Sequence, residues 1–200
     1  MGELIVLRHG ETEWSRLRRH TGRTDIPLTP HGEDQARAVA GALGGDSADG
    51  HRSLVRTLCS PAQRARRTAE LAGLKPDEYD PDLWEWDYGG YEGLTTPQIQ
   101  EERPGWYLWT DGVIPGETPG ETADEVGARV DRVLDRVRPS LSLGDVVLVA
   151  HGHVLRALTA RWLGLPASEG RLFALATGTL STLGEEHGRP VITSWNVPPG

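Results

Sequence analysis

Two places in the chain put a histidine where a strand must end. Leu4-Ile5-Val6-Leu7 runs into Arg8-His9-Gly10, and Val146-Val147-Leu148-Val149-Ala150 runs into His151-Gly152-His153. In both, a glycine follows the histidine and lets backbone approach a ligand. A neutral imidazole is a nucleophile able to form a covalent intermediate. A second imidazole in its cationic form, together with arginines, can neutralise phosphoryl oxygens without a metal. Arginine suits the task because its planar fork meets phosphate bidentately. Arg8 adjoins His9, and more arginines lie in Ser60-Pro61-Ala62-Gln63-Arg64-Ala65-Arg66-Arg67. Spacing does not choose among Arg64, Arg66 and Arg67. His9, His151 and His153 read as metal ligands are the rival. A catalytic zinc wants three ligands and an open position, and arginines beside them repel a cation. The residues therefore point to phosphoryl transfer with no metal and no cofactor.

The elements that must position these groups follow from the apolar pattern. Leu4–Leu7 and Val146–Ala150 read as buried parallel strands, with Leu54–Leu58 as a third. Thr29 before Pro30 and Ser60 before Pro61 mark helix starts. Thr122-Ala123-Asp124-Glu125 is a capping box opening a helix to about Arg138, ahead of Pro139. A helix after Gly152 would bury Val154, Leu155, Leu158 and Trp162. Leu172–Thr177, Thr179–Gly184 and Pro190–Trp195 read as strands, the last two a hairpin around Glu186-His187-Gly188. Gly44–Gly50 and the Pro-containing tail read as exposed connections. The expected fold is an α/β three-layer sandwich, a mostly parallel sheet with helices on both faces, in a single domain spanning 1–200. Ligands of such sheets bind beyond the carboxyl ends of the strands, where both histidines fall.

Composition narrows the partners. The formal net charge is −8 over 200 residues, which disfavours nucleic acid and anionic lipid as general partners. An anionic substrate would need positive charge gathered in one pocket. Lys75 is the one lysine, so arginine abundance says nothing by itself about phosphate. No apolar run is long enough to span a membrane. The N-terminus enters its first strand without a leader pattern, so a cytoplasmic protein is expected. Cys59, the lone cysteine, reads as a buried strand residue. No feature selects an oligomeric state.

Arg8-His9-Gly10-Glu11-Thr12 resembles the signature of the histidine phosphatase superfamily, the phosphoglycerate mutase-like proteins. Three further segments resemble its other motifs in the same order: Ser60-Pro61-x-x-Arg64-Ala65-x-x-Thr68-Ala69, Leu83 to Gly93, and Ala150-His151-Gly152. The resemblance implies His9 as nucleophile, with Arg8, Arg64 and His151 holding the transferring group. It implies Glu85 as the proton donor that later activates water. Asp87 and Glu92 are rival carboxylates or surface residues. Ser15, Thr21 and Gly22 match positions lining the phosphate pocket, with serine where the mutases carry asparagine.

The mutases grip a second anionic group with an inserted segment carrying a lysine and an arginine pair. Here Leu94–Gly120 is short and carries Glu101, Glu102, Asp111 and Glu117 against Arg103. Hydrolysis of a small phosphomonoester is thus expected over the mutase reaction, with a non-catalytic phosphate-binding module as the remaining alternative. Smaller segments, Glu85-Trp86-Asp87-Tyr88-Gly89 and His151-Gly152-His153-x-x-Arg156 among them, are similar to sedoheptulose-bisphosphatase-type members and related acid phosphatases. That implies sugar phosphates or other small phosphorylated substrates. Trp86 and Tyr88 are expected to face the pocket, Gly152 and His153 to bind substrate, and Arg23 or Arg156 to reach a second phosphate. Trp84, Trp86 and Tyr88 around Glu85 would raise a carboxyl pKa, which predicts an acidic optimum.

Overall fold

In a computed structural model describing residues 2–44 and 53–199, the aliphatic runs form the middle of a mixed sheet. The strands are β1 (Leu4–Arg8), β2 (Leu54–Cys59), β3 (Glu78–Tyr79), β4 (Asp145–Ala150), β5 (Leu180–Glu186) and β6 (Arg189–Val197). The helices are α1 (Glu13–Arg16), α2 (Pro30–Gly44), α3 (Gln63–Leu71), α4 (Thr96–Glu102), α5 (Leu108–Asp111), α6 (Ala123–Val137) and α7 (Gly152–Trp162). Sheet order is β3-β2-β4-β1-β5-β6. The first four strands run parallel, while β5 and β6 pair antiparallel.

Alternation along the central strands builds the three layers. Leu4, Val6, Val146, Leu148 and Ala150 face one core, packed with Val130, Val133 and Val137 of α6 and Val154, Leu155, Leu158 and Trp162 of α7. Ile5, Leu7, Val147 and Val149 face the other, packed with Val39 of α2 and Ala65 and Ala69 of α3. Strands buried on both sides carry no polar alternation, which is why these runs read as continuous. The pairing of Arg8 with Ala150 brings the two strand ends level. His9 N–H donates to the Ala150 carbonyl at 3.0 Å and Ser60 N–H to the Val149 carbonyl at 2.9 Å. His9, Ser60 and His151 therefore leave the sheet side by side.

Two expectations change. Ser60 does not cap α3: Ala62 is the extended cap residue, and Asp25 Oδ1 accepts the free Gln63 N–H at 2.9 Å. Leu172–Thr177 is not a strand: its Ala174 and Ala176 carbonyls and its Ala176 N–H are taken by the Trp195, Thr179 and Asn196 side chains. A 3₁₀ turn (Ala167–Leu172) leads into irregular chain that brings the Leu175 carbonyl to Arg8. The two-residue strand β3, without an apolar run to mark it, was not expected. The connection read at Gly44–Gly50 lies, beyond Gly44, outside the described residues. The hairpin forms as read, turning through His187 (φ 51°) and Gly188 (φ 73°), the left-handed pair that a two-residue hairpin turn requires. Cys59 is fully buried at the end of β2, and burial pushes its thiol up to about 12.

Candidate active site

The strand ends open into a cavity of about 330 Å³ with His9 and Arg8 in its lining. His9 is only 5 % exposed. Its Nδ1 lies 2.7 Å from the Gly10 carbonyl oxygen, which can only accept, so Nδ1 carries the hydrogen. Nε2 then keeps its lone pair. Thr68 Oγ1 fixes the following backbone by accepting from Gly10 N–H at 3.0 Å, and Gly178 N–H donates to the His9 carbonyl at 3.0 Å. Burial, with Arg64 and Arg8 nearby, holds the imidazole well below its usual pKa. The His9 imidazole is thus neutral and held in one orientation.

Arg8 donates from Nη1 to the Leu175 carbonyl, but its buried Nε–H has no partner among the described residues. An orphaned buried donor is costly unless a ligand satisfies it. A Cβ at Gly152 would sit 3.2 Å from Arg8 Cζ and crowd the guanidinium.

His151 and Arg64, expected around the transferring group, lie fully buried behind His9 instead of lining the cavity. The His151 ring centroid is 5.1 Å from that of His9. Arg64 Nε–H donates to His151 Nδ1 at 3.1 Å, so Nδ1 is unprotonated and Nε2–H must donate to Ser60 Oγ at 2.7 Å. The expected imidazolium is therefore a neutral imidazole here. Burial, with Arg64 and His9 alongside, pushes its pKa well down. The rest of Arg64 donates to the carbonyls of Thr24, Thr21 and Gly22 and anchors that loop against the site.

Glu85 is the one carboxylate among the residues lining the cavity. Its surroundings are not the apolar pocket expected from Trp84, Trp86 and Tyr88. Oε1 accepts from Trp86 N–H at 2.9 Å and Val154 N–H at 2.8 Å, and Oε2 from His153 N–H at 2.9 Å. The carboxyl group is thereby seated on the first turn of α7, where backbone donors converge. The rival carboxylates are engaged elsewhere. Glu92 accepts from Gly22 and Thr24 N–H, and Asp87 from Gly89 N–H and the Thr118 hydroxyl.

The remaining expected residues divide. Tyr88, His153, Thr21, Ser15 and Gly152 line the cavity. Tyr88 Oη and His153 Nδ1 are 2.6 Å apart, both groups held neutral by burial. The Ser15 hydroxyl is engaged with Thr12 in the capping box of α1. Gly22 is buried out of the lining, its N–H bound to Glu92. Trp86 turns into the core, donating from Nε1 to the Glu121 carbonyl at 2.7 Å and packing edge-on against Trp109. Arg23 stacks over Trp84 and does not line the cavity. Arg156 does, and so do Arg18, Arg19, His20 and Thr96, which the sequence did not mark.

Two buried histidines, His9 and His151, and two half-buried ones, His20 and His153, make stability acid-sensitive. Burial lowers the pKa of His9, His151 and His153 well below 6.5 and that of His20 to about 4. Above 6.5 each is neutral whether folded or unfolded. Below it the unfolded chain takes up protons that the folded chain refuses, so stability falls with pH. The loss approaches about 1.4 kcal/mol per pH unit for each histidine; for His20 it stops near pH 4. Urea midpoints measured from pH 7 downward should fall steeply below 6.5. A flat profile would contradict the neutral site.

Comparison with known proteins agrees with this geometry. The profile of the histidine phosphatase superfamily (branch 1) matches residues 4–198. An acid phosphatase of Mycobacterium tuberculosis is 44 % identical over 185 residues, covering 92 % of this chain and 87 % of that protein. Sedoheptulose 1,7-bisphosphatase of Saccharomyces cerevisiae is 39 % identical over 184 residues, covering 80 % and 67 %. A solved structure of a Mycobacterium tuberculosis open reading frame superposes with a TM-score of 0.91 at 41 % identity, covering 100 % of this chain and 99 % of the other. With its histidines, arginine and carboxylate gathered at the strand ends, the chain belongs to the histidine phosphatase superfamily.

Proposed function

We propose that this chain hydrolyses small phosphomonoesters, sugar phosphates foremost, through a phosphohistidine on His9. The observation that carries the reading is a neutral His9 with its Nε2 lone pair free, in a cavity that also holds the unpartnered Arg8 Nε–H and Glu85. The phosphoryl group binds over His9 with an oxygen on Arg8. Nε2 attacks phosphorus as the ester P–O bond breaks, and the leaving oxygen takes a proton from Glu85. Glu85, now a carboxylate, accepts a proton from the water that attacks the phosphohistidine, and phosphate leaves. Arg64 Nε–H turns from His151 to a phosphoryl oxygen as the group closes on His9, and His151 donates to the group only after its freed Nδ1 has taken up a proton from solvent.

Neutral hydrogen-bonding groups at Tyr88, His153, Thr21 and Thr96 suit the hydroxyls of a sugar. The acid phosphatase and sugar bisphosphatase relatives support the same class. The mutase alternative is disfavoured because Arg103, the expected basic residue of the 94–120 segment, donates to Tyr91 Oη. We place the reaction in a single domain, since both core layers share one sheet. A cytoplasmic setting belongs to the proposal and is compatible with the free thiol of Cys59. No helix among the described residues is long and apolar enough to cross a membrane.

Purified protein should turn over p-nitrophenyl phosphate between about pH 4 and about pH 8, with undiminished rate after EDTA. No turnover over that range would favour a phosphate-binding module. Loss on chelation, restored by zinc, would favour the metal reading.

A further inference from the structure

Glu85 must stand in one place to hand over its proton, yet the backbone around it is irregular. Residues 85–88 belong to no helix or strand. Amides of α7 seat the carboxyl group. The backbone is held from a different side, by a buried ion pair away from the cavity. Arg129 of α6 is 5 % exposed, and its half-buried partner Glu121 stands just ahead of that helix. Neither residue lines the cavity.

The pair binds the chain on both flanks of Glu85. Arg129 Nε–H and Nη2–H donate to Glu121 Oε1 and Oε2 at 2.8 and 2.9 Å, a bidentate fork. Arg129 Nη1 donates to the carbonyls of Asp82 at 2.8 Å and Trp84 at 2.7 Å. Glu121 Oε2 also accepts from Asp87 N–H at 2.9 Å, and Glu121 N–H returns a bond of 2.9 Å to the Asp87 carbonyl. The Glu121 carbonyl accepts from Trp86 Nε1–H at 2.7 Å. The chain is thus clamped at the residue before Glu85 and at the two after it. Helices α6 and α7 share one core through Val126, Val130 and Val133 on one and Val154, Leu155 and Leu158 on the other. The helix that holds the backbone is therefore in register with the helix that holds the carboxyl group. Stability alone is a weak reason to bury these charges, since apolar side chains of similar volume often serve a core as well. Apolar side chains could not bind the two carbonyls and the amide.

Resting on the phosphatase reading, we propose that Arg129 and Glu121 are positioning residues for the general acid, and that their clamp on residues 82–87 sets where Glu85 meets the leaving oxygen. Proton transfer needs the two heavy atoms within hydrogen-bond reach, and a displacement of about 1 Å costs on the order of 10²-fold in rate. Arg8 and His9 stand at the end of β1, which β4 and β5 hold, so attack on phosphorus does not depend on the clamp. Loosening it therefore slows the step that needs a proton and spares the ester whose leaving group needs none.

The test is a quenched-flow measurement of the first step with two esters of similar shape. Benzyl phosphate leaves as an alkoxide that needs the proton; p-nitrophenyl phosphate does not. Arg129→Lys keeps the charge, but an ammonium has three donors where the guanidinium makes four bonds. It should slow the benzyl ester by about tenfold to a hundredfold and leave the p-nitrophenolate burst nearly unchanged. In a Glu85→Gln background, where no proton is left to position, Arg129→Lys should slow the benzyl ester no further. A merely structural arginine would slow both esters alike and add its loss to that of Glu85→Gln. A second variant, Arg129→Met with Glu121→Gln, removes both charges yet keeps an acceptor for Asp87 N–H, and it should show the same ester-selective loss. Equal losses with both esters, additive losses, no loss, or failure of both variants to fold would overturn the positioning role and leave the phosphatase standing. So would an unmodified protein that cleaves only the nitrophenyl ester, since it has no acid to position. An unmodified protein that cleaves neither would overturn both readings.

Discussion

Replacing His9 with alanine should lower phosphate release by roughly four orders of magnitude or more, as removal of a covalent nucleophile does. The other imidazoles are engaged: His20 Nε2 lies 3.3 Å from Thr96 Oγ1. His153 Nδ1 is engaged with Tyr88, and His151 lies behind the lining with both ring nitrogens bonded. The fold should survive the change. The imidazole makes one hydrogen bond, to its own neighbour's carbonyl, and the strand before it is held by β4 and β5. Loss of a histidine that resists protonation should also ease the acid sensitivity of the protein. Phosphate release within tenfold of the parent, from a variant that unfolds normally, would remove His9 from the mechanism.

Glu85→Gln should produce the second large loss, on the order of 10²- to 10⁴-fold with sugar phosphates. An alkoxide is a poor leaving group and needs the proton. p-Nitrophenolate does not, so with p-nitrophenyl phosphate the first step should remain fast. The second step should slow, because the glutamine amide is too weak a base to activate water. The variant should then show a burst of p-nitrophenolate approaching one equivalent per site, followed by slow turnover. One cost is structural: glutamine places an NH₂ against a backbone N–H that the carboxylate now accepts, His153 N–H in the present arrangement. That mismatch costs about 1–3 kcal/mol, so activity should be measured well below the unfolding temperature. Equal, modest losses with both substrates and no burst would assign the proton transfer elsewhere.

The central strands and what they deliver were legible because burial on both faces leaves an unbroken aliphatic run. Leu4–Leu7 and Val146–Ala150 could be read directly, and parallel pairing brings their carboxyl ends together. The helices with side-chain caps, α2 after Thr29 and α6 after Thr122, were legible for a local reason: the capping oxygen lies beside the amides it satisfies. Ser60 misled by the same logic. It carries a cap's sequence, but its hydroxyl serves His151, 91 positions away. Leu172–Thr177 has the apolar content of a strand, but its backbone groups are taken by the side chains of Arg8, Thr179, Trp195 and Asn196.

Within the site, the protonation of His151 was not legible because it depends on which Arg64 nitrogen meets which ring nitrogen. The setting of Glu85 was misread for a related reason. The aromatic residues beside it in sequence are not what its carboxylate touches; its partners include backbone donors of α7 nearly seventy positions later. Arg18 and Arg19 escaped notice because Arg16, Arg18 and Arg19 look alike in a chain where nearly every basic residue is arginine. Arg16 pairs with Glu13 at 2.6 Å, and the next two line the cavity. A left-handed backbone at Arg18 makes the difference, and no spacing rule shows it.

The most direct test is chemical capture of the covalent enzyme. Protein quenched in strong base within milliseconds of mixing with ³²P-labelled substrate should carry label that survives alkali and is lost in mild acid, the behaviour of a phosphoramidate. Digestion should place it on the peptide containing His9, at Nε2, since Nδ1 is occupied by the Gly10 carbonyl. Acid-stable label, or label on a peptide lacking His9, would contradict the account.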